Sequence, residues 1–191
     1  MTAPRRMFVA IELPPPVLQE LDVVVAPLRA EAPEYSWTDA INRHLTLKFL
    51  GDVQPERTDG LVQMLDEVTR AHRPVSIHLS RVGAFPNFRR ARVVWLGVEP
   101  DPRLELLQHD LELGAEGLGF EIEGRAFRPH ITLARVKTAL ELDRIRRLAR
   151  AARKVDFTAV VHVAGLTLFE STLAPTGARY RRIHAATLGG R

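Results

Sequence analysis

Apolar residues recur along the chain with two different periods, and the change from one to the other marks out the elements. Residues 7–13 (MFVAIEL) form a nearly continuous apolar run, which predicts a strand closed by Pro14, Pro15 and Pro16. Proline is tolerated in the first turn of a helix, and Val17, Leu18, Leu21, Val24 and Val25 supply an apolar stripe for one reaching about Ala30. The turn-rich stretch EAPEYSWTD leads to a strand opened by His44, Leu45, Thr46 and Leu47 and stopped at Gly51 and Asp52. Residues 55–71 predict a second helix, with Leu61, Met64, Leu65 and Val68 on one face. Residues 75–82 alternate as a strand, ahead of the loop GAFPNFRR.

The same order then restarts. Residues 91–98 (ARVVWLGV) predict a strand, and 104–113 a helix burying Leu104, Leu107 and Leu111. The glycines of GAEGLG read as a helix stop and turn; their spacing is not that of a phosphate loop, and no Lys-Ser/Thr follows. Residues 120–122 read as a short strand. His130, Ile131, Thr132 and Leu133 open another, 140–153 is a basic amphipathic helix, and 157–169 and 179–188 are strands.

Adding 86 carries Pro16 to Pro102, Leu18 to Leu104, Leu21 to Leu107, His44 to His130, Thr46 to Thr132 and Leu47 to Leu133 without a gap. By chance about 0.4 His-x-Thr matches are expected in a chain of this composition, so one copy carries almost no information. Two copies in register, each behind a strand and a proline-started helix, are the mark of an internal duplication. The architecture expected is two similar α+β lobes about a pseudo-twofold axis. No linker separates them, so residues 1–191 are taken as one domain, with repeats at approximately 7–86 and 91–171 and a groove between the lobes.

Composition narrows the chemistry. A chain of 191 residues can bury a sizeable core, and its apolar and charged fractions are those of an ordinary soluble protein. The net charge is +4, and only three basic residues are lysine (Lys48, Lys137 and Lys154). Arginine forks suit phosphate, although a general arginine bias would give the same count. With no cysteine, disulfides, thiolate catalysis and cysteine-bound zinc are excluded. The N-terminal stretch is a poor secretory signal and no stretch approaches a membrane span, so a cytoplasmic protein with no membrane partner is expected.

In a strand, His and Thr two apart share a face while the intervening Leu or Ile turns to the core. A pseudo-twofold would set His44 and His130 on opposite sides of the groove. A neutral imidazole can then take a proton from water while a protonated one gives a proton to a leaving oxygen. Thr46 and Thr132 would donate to the non-bridging oxygens of a phosphate between them. A phosphodiester fits, with no cofactor and no metal required. No carboxylate cluster accompanies either motif, which weighs against a dinuclear metal site. His72, His78, His109, His162 and His184 belong to no repeated pattern and read as structural or solvent-facing. The alternative is a non-catalytic module that binds nucleotides or RNA ends.

With these residues in view, the chain resembles the two-histidine phosphoesterase superfamily. It looks most like the RNA 2′,3′-cyclic phosphodiesterases, also called 2′-5′ RNA ligases. The resemblance rests on MFVAIELP, HLTLKFLG, GAFP, ARVVWLGV, FRPHITLAR and LFESTL, in that order. It implies a bilobal α+β fold, with two antiparallel sheets facing a V-shaped cleft and helices outside. It also implies hydrolysis of a ribose 2′,3′-cyclic phosphate to a 2′-phosphate without a cofactor, with reversible 2′-5′ ligation in some members. The expected partners are RNA with a 2′,3′-cyclic end or cyclic nucleotides, acted on by a monomer. The 3′ oxygen leaves and must be protonated; His44 is taken as proton donor and His130 as proton acceptor, although the pseudo-symmetry allows the reverse, with Thr46 and Thr132 on the phosphate. Arg135 matches a nucleotide-binding position and Phe8 an aromatic that can stack on the base, although a strand Phe is usually core. Tyr180 matches the family's closing aromatic, and is as well placed for a core role. Strict alternation puts Arg135 on the face opposite His130, so its role requires the strand to twist or bulge there. Arg128 shares the face of His130 and is a further candidate to bind the nucleotide's phosphate, and Lys48 shares the face of His44, four residues away at the rim of the cleft.

Overall fold

A computed structural model describes residues 3–137, 139–174 and 177–189; residues 1–2, 138, 175–176 and 190–191 of the single-domain assignment lie outside these. The chain runs β1 (Arg5–Glu12), α1 (Pro15–Glu31), β2 (Ser36–Trp37), β3 (His44–Val53), α2 (Thr58–Ala71), β4 (Val75–Phe85), β5 (Val93–Val98), α3 (Pro102–Gly117), β6 (His130–Arg135), α4 (Leu142–Arg153), β7 (Thr158–Val163), β8 (Gly165–Ala174) and β9 (Gly177–Thr187). The expected prolines open α1 and α3, where a missing N–H costs nothing.

The strands pair antiparallel in the order β7-β4-β5-β6-β3-β1-β8-β9, with β2 on the free edge of β6. The two sheets expected are thus two four-stranded halves of one curled sheet. They touch through a single pair, Leu45 opposite Ile131. Those two residues are 86 apart, so each repeat meets its own equivalent on the pseudo-twofold axis.

The helices cross over between the halves. α1 follows β1 but packs on α4, which lies against β4; α3 follows β5 but packs on α2 and β3, while α2 covers β8 and β9. One apolar core fills the space between helices and sheet, drawing Met7, Val9 and Ile11 from β1, Leu45 and Leu47 from β3, and Ile131 and Leu133 from β6. Leu21, Val25 and Leu28 bring α1 onto it, each buried side chain contributing about 1.5–3 kcal/mol. The other face of β1 carries Phe8 and Ala10, which pack with Phe169 in a second, small cluster on the cleft side. β1 therefore reads as continuous apolar sequence because both its faces are covered.

Three sequence expectations change. α3 runs through Gly114 to Gly117 instead of stopping, because Gly114 lies against Met64, where a Cβ would come within 2.9 Å of that side chain. Residues 120–122 form no strand, since they lack a ladder partner. The long strand expected over 157–169 divides at Ala164 into β7 and β8, which belong to opposite edges of the sheet. No helix among the described residues is long and apolar enough to cross a membrane.

Candidate active site

His44 opens β3 and His130 opens β6, and the Leu45–Ile131 pair brings these strand starts together. Continuing that antiparallel register sets His44 level with Thr132 and Thr46 level with His130. Each histidine is then flanked across the seam by the threonine of the other motif. All four side chains are half-buried, on the face opposite Leu45, Leu47, Ile131 and Leu133.

Both strands bulge just past the motif. β1 pairs Ala10 with Thr46 and then Val9 with Lys48, skipping Leu47; β5 pairs Trp95 with Thr132 and then Val94 with Ala134, skipping Leu133. An extra residue reverses the alternation beyond it. Leu47 and Lys48 both turn inward, as do Leu133 and Ala134. The next residues, Phe49 and Arg135, emerge on the cleft side.

That bulge meets the condition on which the placement of Arg135 depended. Its guanidinium is exposed, and its charge lowers the pKa of both His44 and His130. The same bulge overturns the placement of Lys48 on the cleft face. Lys48 is 3% exposed; its Nζ lies 2.6 Å from Glu112 Oε2 and donates to the Glu121 carbonyl at 2.5 Å. Glu112 also accepts from the Glu123 N–H and from Gln108, so the buried pair ties the segment leading to β6 onto α3 and β3.

The two imidazoles are held alike. Nδ1 of His44 donates to the Asn42 carbonyl at 2.8 Å, and Nδ1 of His130 to the Arg128 carbonyl at 2.7 Å. A carbonyl accepts only from N–H, so Nδ1 keeps its proton and Nε2 is the atom left to gain or lose one. The Asn42 side chain donates to the Ala178 carbonyl at 3.1 Å, which fastens the turn before β3 to β9.

Their surroundings differ. The His44 ring stacks on Phe8 at 4.8 Å and meets the edge of Tyr180 at 5.3 Å, with Phe169 beyond. Burial in this aromatic wall pushes its pKa down to about 4; the Asn42 carbonyl and Glu12 oppose the shift, and Arg135 adds to it. His130 touches one ring, the edge of Phe85 at 5.0 Å. Its pKa is also lowered by burial, against the Arg128 carbonyl.

Phe8 does not present a face to a base. It is 4% exposed, between His44 and Phe169, because Phe169 is its cross-strand partner on β8 and the Tyr180 ring packs against it from β9. The exposed aromatic on this wall is Phe49, 61% accessible and 6.3 Å from Phe8, which strict alternation had hidden. Arg128 is exposed two residues before His130, and its carbonyl accepts from the histidine. Tyr180 forms part of the His44 wall. His72 and His184 pair with Asp110 and Asp66, away from the cleft, in keeping with a structural reading. Among the described residues, no group of three or more His, Asp or Glu is placed to hold a metal ion.

A curled antiparallel half-barrel whose two central strands each present a histidine and a threonine defines a two-histidine phosphoesterase. Residues 14–173 match the family model of the 2′-5′ RNA ligase superfamily, and the chain belongs to that family. Over 92% of the chain and 94% of the relative, it is 30% identical to the RNA 2′,3′-cyclic phosphodiesterase of Methanothermobacter thermautotrophicus. It is also 30% identical to that of Thermotoga maritima, over 97% and 96%. Among solved structures, it resembles E. coli LigT complexed with 3′-AMP, with a TM-score of 0.78 and 28% identity over 97% of this chain and 98% of that one. A Thermus thermophilus protein, TT0787, gives a TM-score of 0.81 at 27% identity, over the same shares.

Proposed function

We propose that the protein hydrolyses the 2′,3′-cyclic phosphate at an RNA end, or in a cyclic nucleotide, to a 2′-phosphomonoester by general acid–base catalysis without a metal. The observation that carries this is the matched pair of imidazoles, both held with Nδ1–H on a carbonyl and Nε2 free, on the two walls of one cleft. The relatives named RNA 2′,3′-cyclic phosphodiesterase support the substrate class.

His130 Nε2 takes a proton from water as its oxygen bonds to phosphorus. The P–O3′ bond breaks, and the proton on His44 Nε2 passes to O3′. The wall structure supports this division. His130 meets fewer rings than His44, which leaves it the better placed of the two to meet water. Since burial holds His44 near 4 in the free cleft, it takes up its proton from solvent as the substrate anion binds, whose charge favours the imidazolium. Thr46 and Thr132 hold the non-bridging oxygens and Arg135 offsets their charge. Phe49 offers the face on which the terminal base stacks. An RNA 5′-hydroxyl in place of water gives a 2′-5′ linkage by the same step, reversibly.

The protein acts as a monomer in the cytoplasm on this reading, and as one domain, supported by the single core drawn from both repeats. The test is turnover of a 2′,3′-cyclic nucleotide in EDTA by wild type, His44→Ala and His130→Ala. Each variant is expected to lose about 10²–10⁴-fold in kcat. Binding without turnover in the wild type would instead establish a recognition module.

A further inference from the structure

The basic charge of this chain is not spread evenly over the cleft. Residues 85–98 and 124–140 contain seven Lys and Arg and no Asp or Glu. The whole chain is +4, so the rest of it sums to −3. Both segments belong to the half that carries His130: they hold β5 and β6 and the segments leading into them.

The fold gathers four of these charges beside Arg135. Arg135 pairs with Val93 across the β5–β6 ladder; the next residue donates its N–H to the Arg92 carbonyl at 2.9 Å, and Lys137 follows it. Arg89 and Arg90 lie on a 3-10 turn, Phe88–Arg90, whose start is capped where Asn87 Oδ1 accepts from the Arg90 N–H. Phe88 anchors that turn in the core, and the turn also packs on α4. The side chains of Arg89, Arg90, Arg92 and Lys137 are exposed, and none makes an ion pair among the described residues.

In the half that carries His44, several arginines are paired instead. There Arg5 and Arg181 share Glu170, and Arg182 binds Glu12. A group of exposed arginines without ion-pair partners among the described residues, at the start of β5 next to the Val93–Arg135 pair, fits a chain of phosphates and is more than one terminal phosphate requires.

We propose that this face binds the phosphodiester backbone of the single-stranded RNA leading to the reacting end, so that the protein favours oligoribonucleotides over cyclic mononucleotides. This rests on the hydrolase reading above for the position of the end, but the contact itself is a binding property. The strand passes Arg135 and crosses Arg92, Arg89, Arg90 and Lys137, with its terminal nucleotide between the histidines.

The test uses the full chain carrying Arg89→Ser, Arg90→Ser and Arg92→Ser, since these exposed side chains make no hydrogen bond or ion pair among the described residues. Binding of a single-stranded 20-mer with a 2′-phosphate end is followed by fluorescence anisotropy from low to physiological salt. The variant is expected to bind at least about tenfold more weakly at low salt, with a log Kd–log salt slope shallower by about 2, which is three single-strand phosphate contacts. Alongside, the ratio of kcat/KM for a cyclic-ended 20-mer to that for a cyclic mononucleotide should fall by a similar factor. Unchanged affinity and slope would overturn the proposal. Lost affinity with no turnover of either substrate by wild type would keep this surface and refute the reaction assigned above.

Discussion

Phe8 and His44 lie ring on ring, 4.8 Å apart with 24° between their planes. The contact makes the two histidines unequal, because it removes water from one imidazole and leaves the other open at its equivalent face. Phe8→Ala should therefore let the His44 pKa climb from about 4 towards the 6.5 of a free imidazole. It should also cost about 3–5 kcal/mol of stability, as deletion of a buried Phe does. NMR titration of the His44 ring checks the first effect; a pKa still near 4 would separate the shift from the aromatic wall. Phe8→Leu, which keeps most of the volume, should restore much of the stability.

Stability should fall on acidification because of the same histidine. Its folded pKa, about 4, lies below its unfolded value of 6.5, so between these pH values the unfolded chain binds the extra proton. The neutral form's contribution is fully present above pH 6.5 and is lost as pH drops through 4. The full shift is worth roughly 3 kcal/mol. His44→Gln should flatten that part of the stability–pH curve in denaturant titrations, leaving the smaller His130 contribution of the same sign.

Arg135 and Phe49 occupy equivalent places after equivalent bulges, but their loss should read out differently. Arg135→Ala removes a charge felt by both imidazoles, so both histidine pKa values should rise while KM increases. Phe49→Ala should raise KM by roughly 1–3 kcal/mol of lost base stacking and leave both pKa values in place. Combined NMR titration and steady-state kinetics distinguish the two.

The Lys48–Glu112 pair is a stability element. Lys48→Ala leaves a buried carboxylate without its partner and should cost about 3–5 kcal/mol. The double substitution Lys48→Met with Glu112→Leu should recover most of that, measured by urea unfolding. If the single change were neutral, the pair would not be what secures the segment before β6.

The elements legible in the sequence are those set by local period. The proline-started helices, the strands of both motifs and the face shared by His44 and Thr46 follow from neighbours a few residues away. The offset of 86 extended that reading to the pseudo-twofold pairing of Leu45 with Ile131. What stayed hidden depends on a distant partner. The bulges at Leu47 and Leu133 exist only because β1 and β5 pair past them, and they alone decide that Lys48 is buried while Phe49 and Arg135 face the cleft. Whether Phe8 stacks on a base or packs in the core was open, because nothing near it in sequence shows that Phe169 and Tyr180 pack against it. The break at Ala164 likewise reflects strand partners on opposite edges of the sheet.

The central claim is that His44 and His130 together open a cyclic phosphate with loss of the 3′ oxygen. Phosphorus NMR of the product from an RNA bearing a 2′,3′-cyclic end, in EDTA, tests it most directly. The expected result is conversion to a 2′-phosphomonoester by wild type and a near-complete loss of that signal in both single histidine variants. A 3′-phosphate product, or wild-type rates with either histidine removed, would contradict it.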